Sequence, residues 1–91
     1  MEKQLTIAMP SYNVEGLIAR GLESLSDPRL SAALEVVVVD DGSTDGTAGV
    51  ARRFVEACPD VFRLVSKENG GHGSAVNAGL DAARGRYFRV V

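Results

Sequence analysis

Four consecutive valines, Val36 to Val39, run straight into Asp40-Asp41-Gly42-Ser43-Thr44-Asp45-Gly46-Thr47, and this junction limits what the chain can fold into. A β-branched run of that kind fits a strand buried on both faces, as in a parallel sheet covered by helices. The change after Val39 is abrupt. Two carboxylates stand at the strand end, Gly42 can take backbone angles closed to other residues, and Ser43, Thr44 and Asp45 are good helix N-caps. The pattern predicts a strand from Glu35 to Asp40, a tight loop and a helix start. In an open α/β sheet that carboxyl edge is where ligands bind.

The rest of the chain repeats the same alternation. Leu5 to Met9 is strand-like, and Pro10 is expected to end it because proline has no N–H for a ladder. Pro10-Ser11-Tyr12-Asn13 then forms a loop, with Asn13 as cap of the next helix. Val14, Leu17, Ile18, Leu22 and Leu25 recur at helical spacing and predict one buried face. Ser26-Asp27-Pro28 breaks that helix, and Arg29 to Leu34 is a connector. A second helix is expected from Thr44 to Cys58, with Ala51, Phe54, Val55 and Cys58 inward, until Pro59 stops it. Val61 to Val65 reads as a third strand, and its charged Arg63 suggests a sheet edge. Ser66 to Gly73 is a second polar loop. A third helix is expected from Ser74 to Arg84, with Val76, Leu80 and Ala83 inward and Gly85 as C-cap. Arg86 to Val91 is a fourth strand. The order βαβαβαβ predicts an α/β fold with a mostly parallel open sheet and right-handed crossovers. If the fourth strand returns beside the first, a crevice opens there, bordered by the loops after strands one, two and three.

Composition narrows the classes. With 91 residues the chain makes one small domain at most, and 45% hydrophobic with 24% charged residues fits a globular chain rather than disorder. A formal net charge of −2 gives no pull towards nucleic acid. No apolar run is long enough for a membrane span, and Met1 to Met9 carries no signal-peptide pattern. The single cysteine, Cys58, can make no internal disulfide, and a reducing cytoplasm is its expected home. The chain stops inside an apolar run at Val90-Val91, which predicts a piece of a longer domain with an open edge prone to self-association.

The loops leave several chemistries open. Asp40 and Asp41 fit a metal, a ligand's hydrogen-bond donors, or simple capping of the following helix. Tyr12 fits a ring-stacking platform or a half-buried surface tyrosine. The glycines around His72 offer backbone N–H groups to a phosphate, or a flexible connector. His72 itself reads first as a solvated loop residue, Lys67 as a surface charge, and Cys58 as a small buried hydrophobe. Arg84, Arg86 and Arg89 read as solvated or paired. Asn77 could hold the preceding loop through its amide. A dinucleotide fingerprint is missing after the first strand, and so are a P-loop, a His/Cys metal cluster and a nucleophile elbow.

Taken together, the first-strand stretch Thr6 to Asn13, the valine strand with Asp40 to Thr47, and Asn69-Gly70-Gly71 with Asn77-Ala78-Gly79 resemble the start of a family 2 glycosyltransferase. These are inverting enzymes of the GT-A fold that use nucleotide-diphosphate sugars. The resemblance implies that the chain is the Rossmann-like, nucleotide-binding half of that fold. It implies that the Tyr12 ring lies against the base, uracil by family habit, and that Asp41 accepts from the base N–H. Asp40 would support that contact or the ribose, and Pro10 and Ser11 would shape the wall. The loop carrying Gly71 and His72 would close near the phosphates, and Asn77 matches the family's Asn-x-Gly. Where the family often has arginine before that asparagine, this chain has Val76. The resemblance also implies a divalent metal, Mg or Mn, held by a D-x-D motif beyond residue 91, where the catalytic base and the pocket for a glycan or lipid-linked acceptor would also lie. No catalytic or metal residue is expected in these 91. The alternative is a nucleotide-binding or interaction module without transfer activity. A nucleotidyltransferase would need a glycine-rich, basic loop in place of Pro10 to Asn13.

Overall fold

The computed structural model describes residues 3–91; Met1 and Glu2, the start of the stretch read for a leader, lie outside the described residues. Its elements are β1 (Leu5–Ser11), α1 (Glu15–Ser24), β2 (Leu34–Asp41), α2 (Thr47–Ala57), β3 (Phe62–Lys67), α3 (His72–Ala82) and β4 (Tyr87–Val90). All neighbouring strands pair in parallel, in the order β3-β2-β1-β4. The chain winds outward from β1 to β3 and then crosses back to β4, so the alternation read from the sequence is the fold, and Arg63 does lie on an edge strand.

The valine strand carries both cores because successive side chains point to opposite faces. Val36 and Val38 pack with Ile18 and Leu22 of α1, Ala51 of α2, and Phe62. Val37 and Val39 pack with Ala75 of α3, flanked by Ala78 and Ala82. Helices α1 and α2 therefore cover one face and α3 the other. Phe54 of α2 meets Phe62 edge to face, with ring centroids 5.6 Å apart.

Several sequence expectations are corrected. Pro10 does not end β1; it pairs opposite Val39 and the strand runs on to Ser11. The Ala8 carbonyl accepts from Val91 N–H, so even-numbered β1 backbone groups face β4. The Pro10 nitrogen therefore faces away from β2, and the N–H it lacks takes no bond from the β1–β2 ladder. Leu17 is 70% exposed, because the buried stripe of α1 is centred on Ile18 and Leu22 and leaves Leu17 on its flank. Cys58 is exposed rather than buried, since it follows the last turn of α2 as its C-cap.

Helix α3 runs from His72 to Ala82 and buries Ala75 and Gly79, not Val76 and Leu80. A Cβ on Gly79 would stand 2.8 Å from the Ala8 Cβ, so the helix lies too close to the sheet for larger side chains. Gly85 is not its C-cap, which is Ala83. A Cβ on Gly85 would stand 2.6 Å from the Thr6 nitrogen and hydroxyl, and its own N–H donates to that hydroxyl at 2.8 Å.

At the amino edge a buried polar network ties this turn down. Thr6 and Glu35 are register partners, and the Thr6 hydroxyl donates to Glu35 Oε2 at 2.7 Å. Arg84 N–H donates to the same oxygen, while Arg63 donates to Glu35 Oε1 and to the Ala82 carbonyl at the end of α3. Burial pushes the Glu35 carboxyl up, but the Thr6, Arg63 and Arg84 donors outweigh it and hold the group below its ordinary value.

Candidate functional site

At the carboxyl edge, the loops after β1 and β2 brace each other. The Asn13 N–H donates to the Ser43 hydroxyl, and the Val14 N–H to the Thr47 hydroxyl, both at 2.9 Å. The Glu15 N–H donates to Asp45 Oδ2, and the Glu15 carboxylate returns the favour by accepting from Gly46 N–H. Asn13 Oδ1 accepts from Thr44 N–H at 2.8 Å. So Asn13 does not cap α1, as its side chain points across to the next loop. The Val14 and Glu15 N–H groups at the start of α1 are thus satisfied by residues 33 and 30 positions on. Asn13 adopts φ 52°, a left-handed conformation that asparagine tolerates better than most residues. The hydroxyl of Thr47, then its N–H and that of Glu15, hold the Asp45 carboxyl below its ordinary value.

This brace presents Tyr12 at the mouth of a cleft of about 240 Å³, lined by Pro10, Ser11, Tyr12, Asp41, Asn69, Gly71, His72 and Ala75. Six of the residues singled out from the sequence, Pro10, Ser11, Tyr12, Asp41, Gly71 and His72, meet there. Tyr12 is 49% exposed, Ser11 is buried with its hydroxyl donating to the Met9 carbonyl, and His72 is exposed at the start of α3. Ala75 was not foreseen as a lining residue. Its spacing to Ala78 and Gly79 marks the small face of α3, which lets the helix approach.

Asp40 and Asn77 do not line the cleft. Asp40 sits on the face of β2 shared with Val36 and Val38, and its Oδ1 closes the turn by accepting from Ser43 N–H at 3.0 Å. Asn77 is exposed on α3, and its amide holds no loop among the described residues. Asp41, on the other face with Val37 and Val39, is buried under the loop after β3. Its Oδ1 accepts from Lys67 Nζ at 2.8 Å and Gly70 N–H at 2.9 Å, and its Oδ2 accepts from Gly71 N–H at 3.0 Å. Lys67 is therefore no surface charge; register places it directly opposite Asp41. The Lys67 ammonium first, then the Gly70 N–H, hold the Asp41 carboxyl below its ordinary value despite burial.

A larger cleft of about 770 Å³ lies at the opposite, amino edge, beside Lys3, Glu35, Cys58, Asp60, Arg63 and Arg84. Its buried charges already satisfy one another, as Glu35 and Arg63 do. The carboxyl-edge cleft is the smaller but holds an exposed ring beside a buried carboxylate, at the end of the sheet where open α/β folds bind ligands. The two aspartates are ill suited to a metal. They project from opposite faces, a lysine ammonium lies against Asp41, and no group of three His, Cys, Asp or Glu side chains converges among the described residues.

The chain matches the family model described as "Glycosyl transferase family 2" over residues 6–91. It is 36% identical over 87 residues to the uncharacterized glycosyltransferase EpsJ of Bacillus subtilis, covering 96% of this chain and 25% of that protein. Among solved structures it resembles the mannosyltransferase PcManGT of Pyrobaculum calidifontis, in complex with GDP-Man and Mn2+, with a TM-score of 0.80 and 37% identity over 91% of this chain and 25% of that one. It also resembles S. aureus TarS in complex with UDP-GlcNAc, with a TM-score of 0.82 and 31% identity over 97% of this chain and 26% of that one. The chain spans about a quarter of the length of the first curated relatives it matches, and as little as 8% of others. The sheet and its α/β winding are those of the GT-A glycosyltransferase structures. With the match running through all four strands and all three loops of the carboxyl edge, the chain belongs to glycosyltransferase family 2.

Proposed function

We propose that this chain binds the nucleotide of a nucleotide-diphosphate sugar, a UDP-sugar, for an enzyme that transfers the sugar to an acceptor hydroxyl with inversion. The observation that carries this reading is the pairing of a half-exposed Tyr12 ring with the buried, ionised Asp41 carboxylate in one cleft. The ring supplies a flat apolar face for a base, and the carboxylate accepts from an N–H on the base edge. Pro10 and Ser11 wall the nucleoside. Gly71 and His72 stand at the start of α3, where the first N–H groups have no partner within the helix and favour a diphosphate. Relatives that bind GDP-Man with Mn2+ and UDP-GlcNAc support a nucleotide-sugar site of this class.

A divalent ion, Mg or Mn, belongs to this reading as well, held beyond residue 91, since Asp40 and Asp41 do not converge. When bound it would neutralise the departing diphosphate. The acceptor, a glycan or a lipid-linked saccharide, would be met there too. We place the protein in the cytoplasm, at the inner face of the membrane, where one exposed cysteine stays reduced.

Calorimetric titration of uridine diphosphate into the protein carrying this chain tests the binding role. Saturable binding that weakens by about tenfold in Tyr12→Ala supports it, and no binding to wild type overturns it. Incubation with α-linked UDP-sugars and an acceptor saccharide, followed by NMR of the anomeric proton, tests the transfer. A β-linked product supports inversion. Nucleotide binding without transfer would favour a non-catalytic module.

A further inference from the structure

An ionised carboxylate offers about four lone-pair positions, two on each oxygen. In Asp41 three of them are filled from within the chain. Oδ1 accepts from both Lys67 Nζ and Gly70 N–H, whereas among the described residues Oδ2 accepts only from Gly71 N–H. One position, on Oδ2, is left for a ligand in the cleft that Asp41 lines.

We propose that Lys67 selects the base of the nucleotide, by filling the second position on Oδ1 so that Asp41 can receive only one N–H. Resting on the nucleotide reading above, this names the residue that makes the site take uracil rather than guanine. Uracil offers a single imide N–H between two carbonyls and fits one acceptor. Guanine offers two donors side by side, its ring N–H and its amino group, and pairs best with a carboxylate that has one open position on each oxygen. Cytosine and adenine present a ring-nitrogen acceptor beside the amino group, and that lone pair faces the carboxylate unfavourably.

The lysine is well held for this task. It lies opposite Asp41 in the β2–β3 register, and its Nζ also donates to the Glu68 carbonyl at 2.6 Å. Its side chain is 21% exposed. A Cβ on Gly70 would stand 2.9 Å from that Nζ, so glycine keeps the space the ammonium occupies. Removing the ammonium alone would leave Gly70 and Gly71 with one position filled on each oxygen and one open on each. That is the arrangement guanine wants.

The test titrates uridine diphosphate and guanosine diphosphate into wild type, Lys67→Met and Lys67→Arg, in the protein carrying this chain. Both ligands carry the same diphosphate, so the ratio of their affinities cancels any general loss of positive charge or of loop order. Wild type should prefer uridine diphosphate by about tenfold or more, Lys67→Arg should keep that preference, and Lys67→Met should lose most of it. Equal affinities in wild type would overturn base selection even if the Met variant failed to fold. A preference unchanged in Lys67→Met would overturn the role of Lys67. Binding of neither nucleotide by wild type would remove the nucleotide reading itself, and this inference with it.

Discussion

Gly42 and Asn69 meet backbone to backbone: a Cβ on Gly42 would stand 2.6 Å from the Asn69 nitrogen. Gly42 also adopts φ 75°, in the left-handed region that side chains disfavour. This contact sets the loop after β3 down on the loop after β2, and so closes one wall of the cleft.

Gly42→Ala should therefore cost stability twice, through its own backbone and through the displaced Asn69. A loss of at least about 1–3 kcal/mol is expected in urea denaturation. An unchanged midpoint would mean that the two loops are not packed as described.

Tyr12→Ala should weaken uridine diphosphate binding by about 1–3 kcal/mol, with Tyr12→Phe near wild type, if the ring acts by stacking. Calorimetry on both variants decides. A Phe variant as weak as Ala would transfer the contact to the hydroxyl.

The small face of α3 gives a contrast between neighbours. Gly79→Val should destabilise by about 1–3 kcal/mol or more, because the added carbons meet Ala8 on the sheet. Leu80→Ala, at a position 53% exposed, should change stability by no more than about 0.5 kcal/mol. Thermal melts of the two variants check the assignment, and the reverse order would restore the face read from the sequence.

Glu35→Gln should destabilise the chain by about 1.5–3 kcal/mol, since Arg63, Thr6 and the Arg84 N–H lose a charged acceptor. Nucleotide affinity should be unaffected, because the network lies at the amino edge. Denaturation and a uridine diphosphate titration together test this; loss of binding in a folded variant would contradict it.

Acid should unfold the protein. Glu35, Asp41 and Asp45 all have carboxyls held below their ordinary values, so each stabilises the fold fully above those values. That stability should drain away as the pH falls below 4.5 for Glu35 and below 3.8 for Asp41 and Asp45, down through their lowered values. Urea midpoints measured from pH ~7 to ~3 should stay level and then drop. A midpoint that rises on acidification would show that the carboxylates are not held by these donors.

The order of amino acids alone specifies the alternation of strands and helices, the strand built on Val36 to Val39, and the three loops at the carboxyl edge. Those are local properties: β-branched residues, helical spacing, and glycine at a position needing positive φ. It also contained the parity that separates Asp40 from Asp41, because alternate residues of a strand face opposite sides. Which side carries the cleft was decided only when α3 crossed to the far face of the sheet. Register, likewise a tertiary property, set Lys67 against Asp41 and Thr6 against Glu35, turning an apparent surface charge into part of the site. Helix α3 misled for the same reason. Its larger side chains, Val76 and Leu80, suggested the inward face, but the short distance to Ala8 admits only Ala75, Ala78 and Gly79. Hydrophobicity says what prefers to be buried; the spacing between packed elements decides what fits.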